Sequence, residues 1–353
     1  MREGMANIRD VARHAGVSVS SVSNVLNGRS DQMRLATLER IRQAMQELNY
    51  HPNRVAQQLK TGQAKMIGLL VPSIVNPSFA VLTREVDRAA KARQYRVLLG
   101  NTYRQEDEEQ AFLEDMFAHG VQGVIVAASA MERPHFANAA RLGLVMVNYD
   151  SRMPSDALLG NQPFDSVSMD NVAAGRMAAE HLIERGCRQL AFVTEAFLTI
   201  SRAHKIEGFF SAVRDHGLTD NARVIEGKAL AAYGDTEMTE LGRTLAAKVL
   251  QQAPRPDGIV AINDALGIGL MAGLRDAGVR IPQDISVIGI DNIPLADLVH
   301  PALTSVMPPL TEMVAVMVER LLARIENPSI TPGEFLFPPR LITRHSVIDS
   351  TEP

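Results

Sequence analysis

The sequence predicts two kinds of structure in one chain: an N-terminal three-helix helix-turn-helix headpiece with a hinge helix, and an α/β core of two doubly wound subdomains. Three observations predict it. Residues 7–27, NIRDVARHAGVSVSSVSNVLN, read as two short helices joined at a glycine. From Lys65 onward, apolar runs of strand length alternate with amphipathic stretches of helical period. Charge also changes sign along the chain: residues 1–65 hold ten Lys/Arg against five Asp/Glu, and the remainder holds 26 against 35. A basic module on an acidic body is the asymmetry expected of a nucleic-acid binder.

In the headpiece, Asn7 can cap a helix, with Asp10 three residues on as a variant capping box. Ile8, Val11, Ala12 and Ala15 form its apolar face. Gly16 suits a positive-φ stop, Val17 the corner, and Ser18 the cap of a second helix, with Ser21 behind it. On that second helix Ser18, Val22, Val25 and Leu26 gather on one side, Ser20, Asn24 and Asn27 on the other, and Val19 on a flank. Hydroxyls and amides beside a valine suit a major groove, where they bond base edges or phosphates and the valine meets a thymine methyl. Taken alone, the stretch fits an ordinary αα-hairpin equally well.

A polar loop follows, with Arg29 and Arg34 within reach of a phosphate. A third helix is expected over about 35–48, its stripe Leu35, Leu38, Ile41, Met45 and Leu48 closing a small core. Residues 52–62, PNRVAQQLKTG, then place Pro where a helix opens and Gly where it closes. Two turns are too short to be stable unaided. Behind a helix-turn-helix, such a segment suits folding on DNA with Leu59 as a minor-groove wedge; by itself it reads rather as a linker packed on its own body.

In the core the expected strands are 66–72, 96–101, 123–129, 144–150, 166–170, 189–195, 223–229, 258–263 and 286–292, with helices such as 78–93, 106–119 and 171–185 between them. These are too many strands for one sheet with short connections, so two sheets are expected. Segments 304–308, 310–326 and 335–347 return to them, which makes several crossovers and a cleft.

Composition excludes other classes. Cys187 is the one cysteine of 353 residues. It rules out an internal disulfide and fits a reducing compartment, so the expected location is cytoplasmic. No run of about 18 apolar residues suggests a membrane span, and the N-terminus has no signal-peptide core. No zincin, nucleophile-elbow or Walker pattern occurs, so neither metal, cofactor nor enzyme activity is expected. Gly267, Gly269 and Ala272 imitate a dinucleotide fingerprint, with Asp291 at ribose distance. Asp264 would repel a pyrophosphate there, and the glycines are better placed inside a helix as packing sites.

The chain resembles the LacI/GalR family of bacterial transcription regulators over essentially its whole length. The resemblance is carried by IRDVARHAGVSVSSVSNVLNG, ELNYHPNRVAQQLKTG, MIGLLVP with NPSF, DNVAAGRMAAEHLIERG, SRAHKIEGF, AINDALGIGLMAGLRDAGVRIPQDISVIGIDN and PALTSV, in that order. It implies a headpiece at 1–51, a hinge at 52–64 and an effector-binding, dimerising core at 65–353, with the type I periplasmic-binding-protein-like fold. The implied subdomains are about 65–167 with 296–326, and about 168–293 with 329–353. A homodimer would bind a pseudo-palindromic operator in double-stranded DNA, most simply as a repressor of catabolic or transport genes. The implied DNA contacts are Asn7, Ser18, Val19, Ser20, Ser21, Asn24, Asn27, Arg29, Asn53, Ala56, Leu59 and Lys60. Position 24 often carries Arg in the family; Asn24 removes the bidentate guanine contact. Gln57 in AQQL, in place of the frequent ARSL, removes a phosphate contact.

A small-molecule effector, a sugar or related metabolite, is implied in the cleft, outside the C-terminal strand ends. The residues expected around it are Ser73, Phe79, Ala127, Ser129, Ser201, Arg202, Lys205, Asn263, Asp264 and Asp291. Asp264 could instead cap a helix, and Asp291 could be structural. Lys205 stands where the family usually has Arg. No heptads follow the core, so a dimer is expected. A transport-type binding protein shares the core fold, but the basic headpiece argues against it.

Overall fold

In the computed structural model, residues 6–26, 33–51, 65–127, 133–150, 164–196, 199–228 and 238–348 are described here. The chain divides into two compact units, Met1–Ala64 and Lys65–Pro353.

The first unit holds α1 (Ile8–His14), α2 (Val19–Leu26) and α3 (Leu35–Glu47). Both halves of the capping box form at α1: Asn7 Oδ1 accepts from the Asp10 N–H, and the Asn7 N–H donates to Asp10 Oδ2 at 3.0 Å. Gly16 has φ +62°, and the Val17 N–H returns to the Ala12 carbonyl, so the chain turns sharply into α2. Val11, Ala12, Ala15, Val22, Ile41 and Ala44 form the core of this unit. Leu35 departs from the expected stripe and is 76% exposed. It is the first residue of α3, a full turn and more before the buried Ile41, and so projects past the end of the small core.

The second unit contains two six-stranded sheets. The first runs β11-β5-β4-β3-β1-β2, with β1 Met66–Val71, β2 Arg96–Asn101, β3 Gly123–Val126, β4 Val145–Tyr149, β5 Asp165–Met169 and β11 Glu334–Phe337. The second runs β12-β10-β9-β8-β6-β7, with β6 Leu190–Glu195, β7 Ala222–Gly227, β8 Gly258–Ala261, β9 Ser286–Ile290, β10 Thr304–Met307 and β12 Arg340–Ile342. Every pairing is parallel except β10 with β12. Parallel strands need helical crossovers on both faces, which is why central strands such as β1, β3 and β8 read as apolar runs rather than alternating.

Helices α4 (Pro77–Ala92), α5 (Glu106–Ala118), α6 (Pro134–Arg141) and α11 (Leu310–Glu326) pack on the first sheet or on each other; α7 (Asn171–Glu184), α8 (Ile200–Asp215), α9 (Met238–Leu250) and α10 (Asp264–Asp276) accompany the second. The chain crosses between lobes after β5, between β10 and α11, and between β11 and β12. Two strands fall in the opposite lobe from the expected division: β10 joins the second sheet, although 296–326 was assigned to the first, and β11 joins the first. Hydropathy marks each segment as a strand but carries no information on which sheet edge it joins.

Helix pairs in the second lobe touch backbone to backbone. A Cβ at Gly269 would lie 1.7 Å from the Thr239 carbonyl oxygen, and one at Gly208 1.9 Å from that of Val172. Gly267 and Gly269 thus sit within α10, Gly269 against α9 and Gly267 against Ala261 and Leu303, and not in a pyrophosphate loop. Among the described residues, no helix is long and apolar enough to cross a membrane.

Candidate functional site

The first candidate is the outer surface of α2. Val22 is fully buried, which fixes the rotation of the helix and turns Val19, Ser20 and Asn24 to solvent. Val19 is 42% exposed. The hydroxyls of Ser18, Ser20 and Ser21 form one cluster, with Ser18 Oγ 2.8 Å from Ser20 Oγ and accepting from the Ser21 N–H at 3.1 Å. Ser18 lies outside the apolar side expected for it, because it precedes the helix as its cap. Asn7 is committed to capping α1. Asn27, Arg29, Asn53, Ala56, Leu59 and Lys60 lie outside the described residues.

The second candidate is a cleft in the Lys65–Pro353 unit, lined from both sheets. From the first lobe come Phe79, Ala127 and, beyond those expected, Ser78, Arg104, Tyr149 and Asp150. From the second come Ser201, Arg202, Lys205, Asn263 and Asp291. Most sit just past the C-terminal ends of parallel strands or at the N-terminal turns of the following helices, where loops diverge and backbone dipoles are exposed. Tyr149–Asp150 end a strand that the sequence marks clearly, so the same strand-end rule finds them. Arg104 follows β2 in a loop with two consecutive left-handed residues, Tyr103 at φ +50° and Arg104 at +60°.

The polar groups are held in place. Asn263 Oδ1 caps α10 by accepting from the Leu266 N–H at 2.9 Å, which leaves its amide nitrogen for other partners. Asp150 accepts from Asn171 Nδ2 at 2.8 Å and Ser168 Oγ at 3.2 Å. Arg202 pairs with the buried Glu195 at 2.7 Å. Arg133 Nη1 donates to the Arg104 carbonyl at 3.3 Å and to Glu109 at 2.8 Å, bracing the loop that carries Arg104. Burial, with Asp150 and Asp291 nearby, pushes the Tyr149 phenol well above its ordinary range, so it stays protonated and able to donate.

Two expected residues are not in the cleft lining. Asp264 is 0% exposed: Oδ1 accepts from Ser305 Oγ at 2.6 Å and Oδ2 from the Ile293 N–H at 2.8 Å. It anchors the segment after β9 from beneath, and the cap role falls to Asn263. A Cβ at Gly289 would lie 2.1 Å from Asp264 Oδ1, so that strand position must be bare. Ser73 is buried at the end of β1, its Oγ accepting from the Val75 N–H at 3.3 Å. Ser129 lies outside the described residues.

Known proteins resemble this chain in both of its units. The family described as bacterial regulatory proteins, lacI family, matches residues 7–53, and the periplasmic binding protein-like domain matches 179–347. A ribose operon repressor of Halalkalibacterium halodurans is 32% identical over 342 residues, covering 97% of each chain. The transcriptional repressor PurR of Aliivibrio salmonicida is 30% identical, covering 97% of this chain and 99% of its own. A crystal structure of a LacI family regulator from Enterococcus faecium with bound ribose superposes with a TM-score of 0.69 at 28% identity, over 80% of this chain and 98% of that one.

Proposed function

The chain belongs to the lacI family of bacterial regulatory proteins, and on that premise we propose that it is an operator-binding repressor switched by a sugar-like effector. Two copies bind a pseudo-palindromic duplex through α2, with Val19, Ser20 and Asn24 against base edges and Ser18 and Ser21 against phosphate. Asn27, Arg29, Asn53, Ala56 and Lys60 complete the DNA contacts, and Leu59 enters the minor groove. Leu295 and Leu298, 49% and 77% exposed on the second lobe, offer apolar surface for pairing of the copies.

The observation that carries the effector reading is the makeup of the cleft: hydroxyl, amide, carboxylate and cationic groups from both lobes beside the aromatic rings of Phe79 and Tyr149. Such a lining matches a small polyhydroxylated ligand, whose hydroxyls each need a donor or acceptor when water is expelled. The named relatives include repressors of ribose genes, and the E. faecium regulator holds ribose. Ser78, Phe79, Asp150, Ser201, Arg202, Lys205, Asn263 and Asp291 are the contacts, while Ser73 and Asp264 support them from outside. An effector preferring one lobe arrangement shifts its population, and with it the affinity for DNA.

The test is titration of the full-length protein into labelled duplex carrying its own promoter, with and without a panel of sugars. Binding that weakens steeply with salt and responds to one ligand supports the reading. Salt-independent or ligand-independent behaviour across the panel contradicts it.

A further inference from the structure

We propose that the effector is an acid: a small polyhydroxylated carboxylate whose carboxyl group is held by Lys205. The inference rests on the cleft being the effector site, as argued above.

Lys205 lies on the inner side of α8 and is only 6% exposed, yet it lines the cleft. The carboxylates around it have other partners. Glu195 is committed to Arg202, Asp150 accepts from Ser168 and Asn171, and Asp291 accepts from Ser78. Among the described residues, none supplies a counter-charge or hydrogen-bond acceptor to the Lys205 ammonium. The stem of Lys205 is buried while its ammonium opens on the cleft, a cation without a fixed counter-charge that an anionic ligand can pair with.

The lysine cannot readily withdraw. Its own backbone is clamped, since a Cβ at Gly175 of α7 would lie 1.9 Å from the Lys205 carbonyl oxygen. Four residues earlier Ser201 begins the same cleft-facing side, so helix period and packing both aim Lys205 inward. Arg104 adds a second cation from the other lobe. A neutral sugar would offer Lys205 only hydroxyl oxygens. A phosphate dianion would meet the charges of Asp150 and Asp291 in the same cleft. A monoanion with hydroxyls satisfies both requirements: its carboxylate meets the ammonium, and its hydroxyls donate to the two aspartates.

The experiment is calorimetric titration of the full-length protein with D-gluconate, D-ribonate and D-galacturonate, with the matching neutral D-glucose, D-ribose and D-galactose, and with ribose 5-phosphate. Expected is binding of at least one acid more tightly than its neutral counterpart. Lys205→Met should weaken that acid by about 10- to 100-fold, the range of a lost charge-assisted bond. Lys205→Arg, which keeps the charge, should retain most of the affinity, and thermal melts establish that both variants are folded. Preference for a neutral sugar or the phosphate overturns the proposal while leaving the regulator reading intact, as does a folded Lys205→Met that binds the acid unchanged. A panel in which no acid binds also overturns it. If operator binding is absent as well, the regulator reading fails with it.

Discussion

Ser78 Oγ donates to Asp291 Oδ2 at 2.5 Å, joining two residues 213 positions apart and on opposite lobes. Ser78 stands in the first turn of α4, where the neighbouring Asn76 caps the helix by accepting the Ser78 N–H. Asp291 follows β9 with φ +113°, a conformation that is strained for a residue with a side chain, and its N–H is tied to the Val306 carbonyl. A direct bond therefore spans the cleft, onto a carboxylate aimed by local strain. Hydrogen bonds to charged groups contribute about 1.5–3 kcal/mol. Ser78→Ala should loosen the contact between the lobes, raising the radius of gyration in X-ray scattering and lowering effector affinity by about tenfold. A variant with unchanged scattering and affinity would show that the bond does not govern closure.

Asp264 sets a pH dependence of stability. Burial, and then the charge of Asp291, raises its carboxyl well above the ordinary value, although Ser305 and the Ile293 N–H oppose the shift. The folded state then holds this proton more tightly than the unfolded chain does. Stability from this group is greatest below the unfolded value near 3.8 and falls as pH rises toward the folded value. Asp284 runs the other way: its bond to Arg280 lowers it to about 2, so its contribution is present above 3.8 and lost as pH falls from there to about 2. Urea unfolding between pH 4 and 7 should show a smaller decline with rising pH in Asp264→Asn than in the parent chain. An unaltered slope would contradict the assignment.

The helix pairs of the second lobe should tolerate no methyl group where backbones meet. Gly269→Ala places a carbon within 1.7 Å of the Thr239 carbonyl, which only movement of a whole helix can relieve. A loss of about 3 kcal/mol or more is expected, at the upper end of overpacking costs. Gly143, with open space around its missing Cβ but φ +94°, should lose less and through backbone strain alone. Denaturant midpoints of the two variants measure the difference.

On α2, Asn24 is exposed and free of the core, so exchanging it should change base preference without unfolding the headpiece. Asn24→Arg is expected to favour guanine at one position of each half-site by about 1–3 kcal/mol. Competition binding with single-base operator variants would detect it, and an unchanged preference would remove Asn24 from the reading set.

Much of this architecture was legible in the sequence because its signals are local. The capping box at Asn7 and Asp10, the turn at Gly16 and the buried Val22 follow from spacing alone, and so does the alternation of strands and helices. The assignment of β10 and β11 to lobes did not follow, because both are short apolar runs and only tertiary pairing distinguishes their sheets. In the cleft, the strand-end rule led to Ala127, Asn263 and Asp291, while Phe79 and Lys205, both on helices, were reached only through the family resemblance. The strand-end rule also drew in Asp264, one residue past Asn263, because sequence order cannot show which neighbour faces the ligand and which faces inward. Ser78 and Arg104 carried no local signal: one opens a helix, the other sits in a loop, and only folding brings them to Asp291 and its neighbours.

The most direct measurement is selection of bound sequences from random duplex DNA by the full-length protein, repeated with Asn24→Arg. The expected result is an inverted repeat with a central flexible pyrimidine–purine step, and a change confined to one symmetric pair of positions in the variant. Enrichment of no sequence, or the same consensus from both proteins, would contradict the claim that α2 reads an operator.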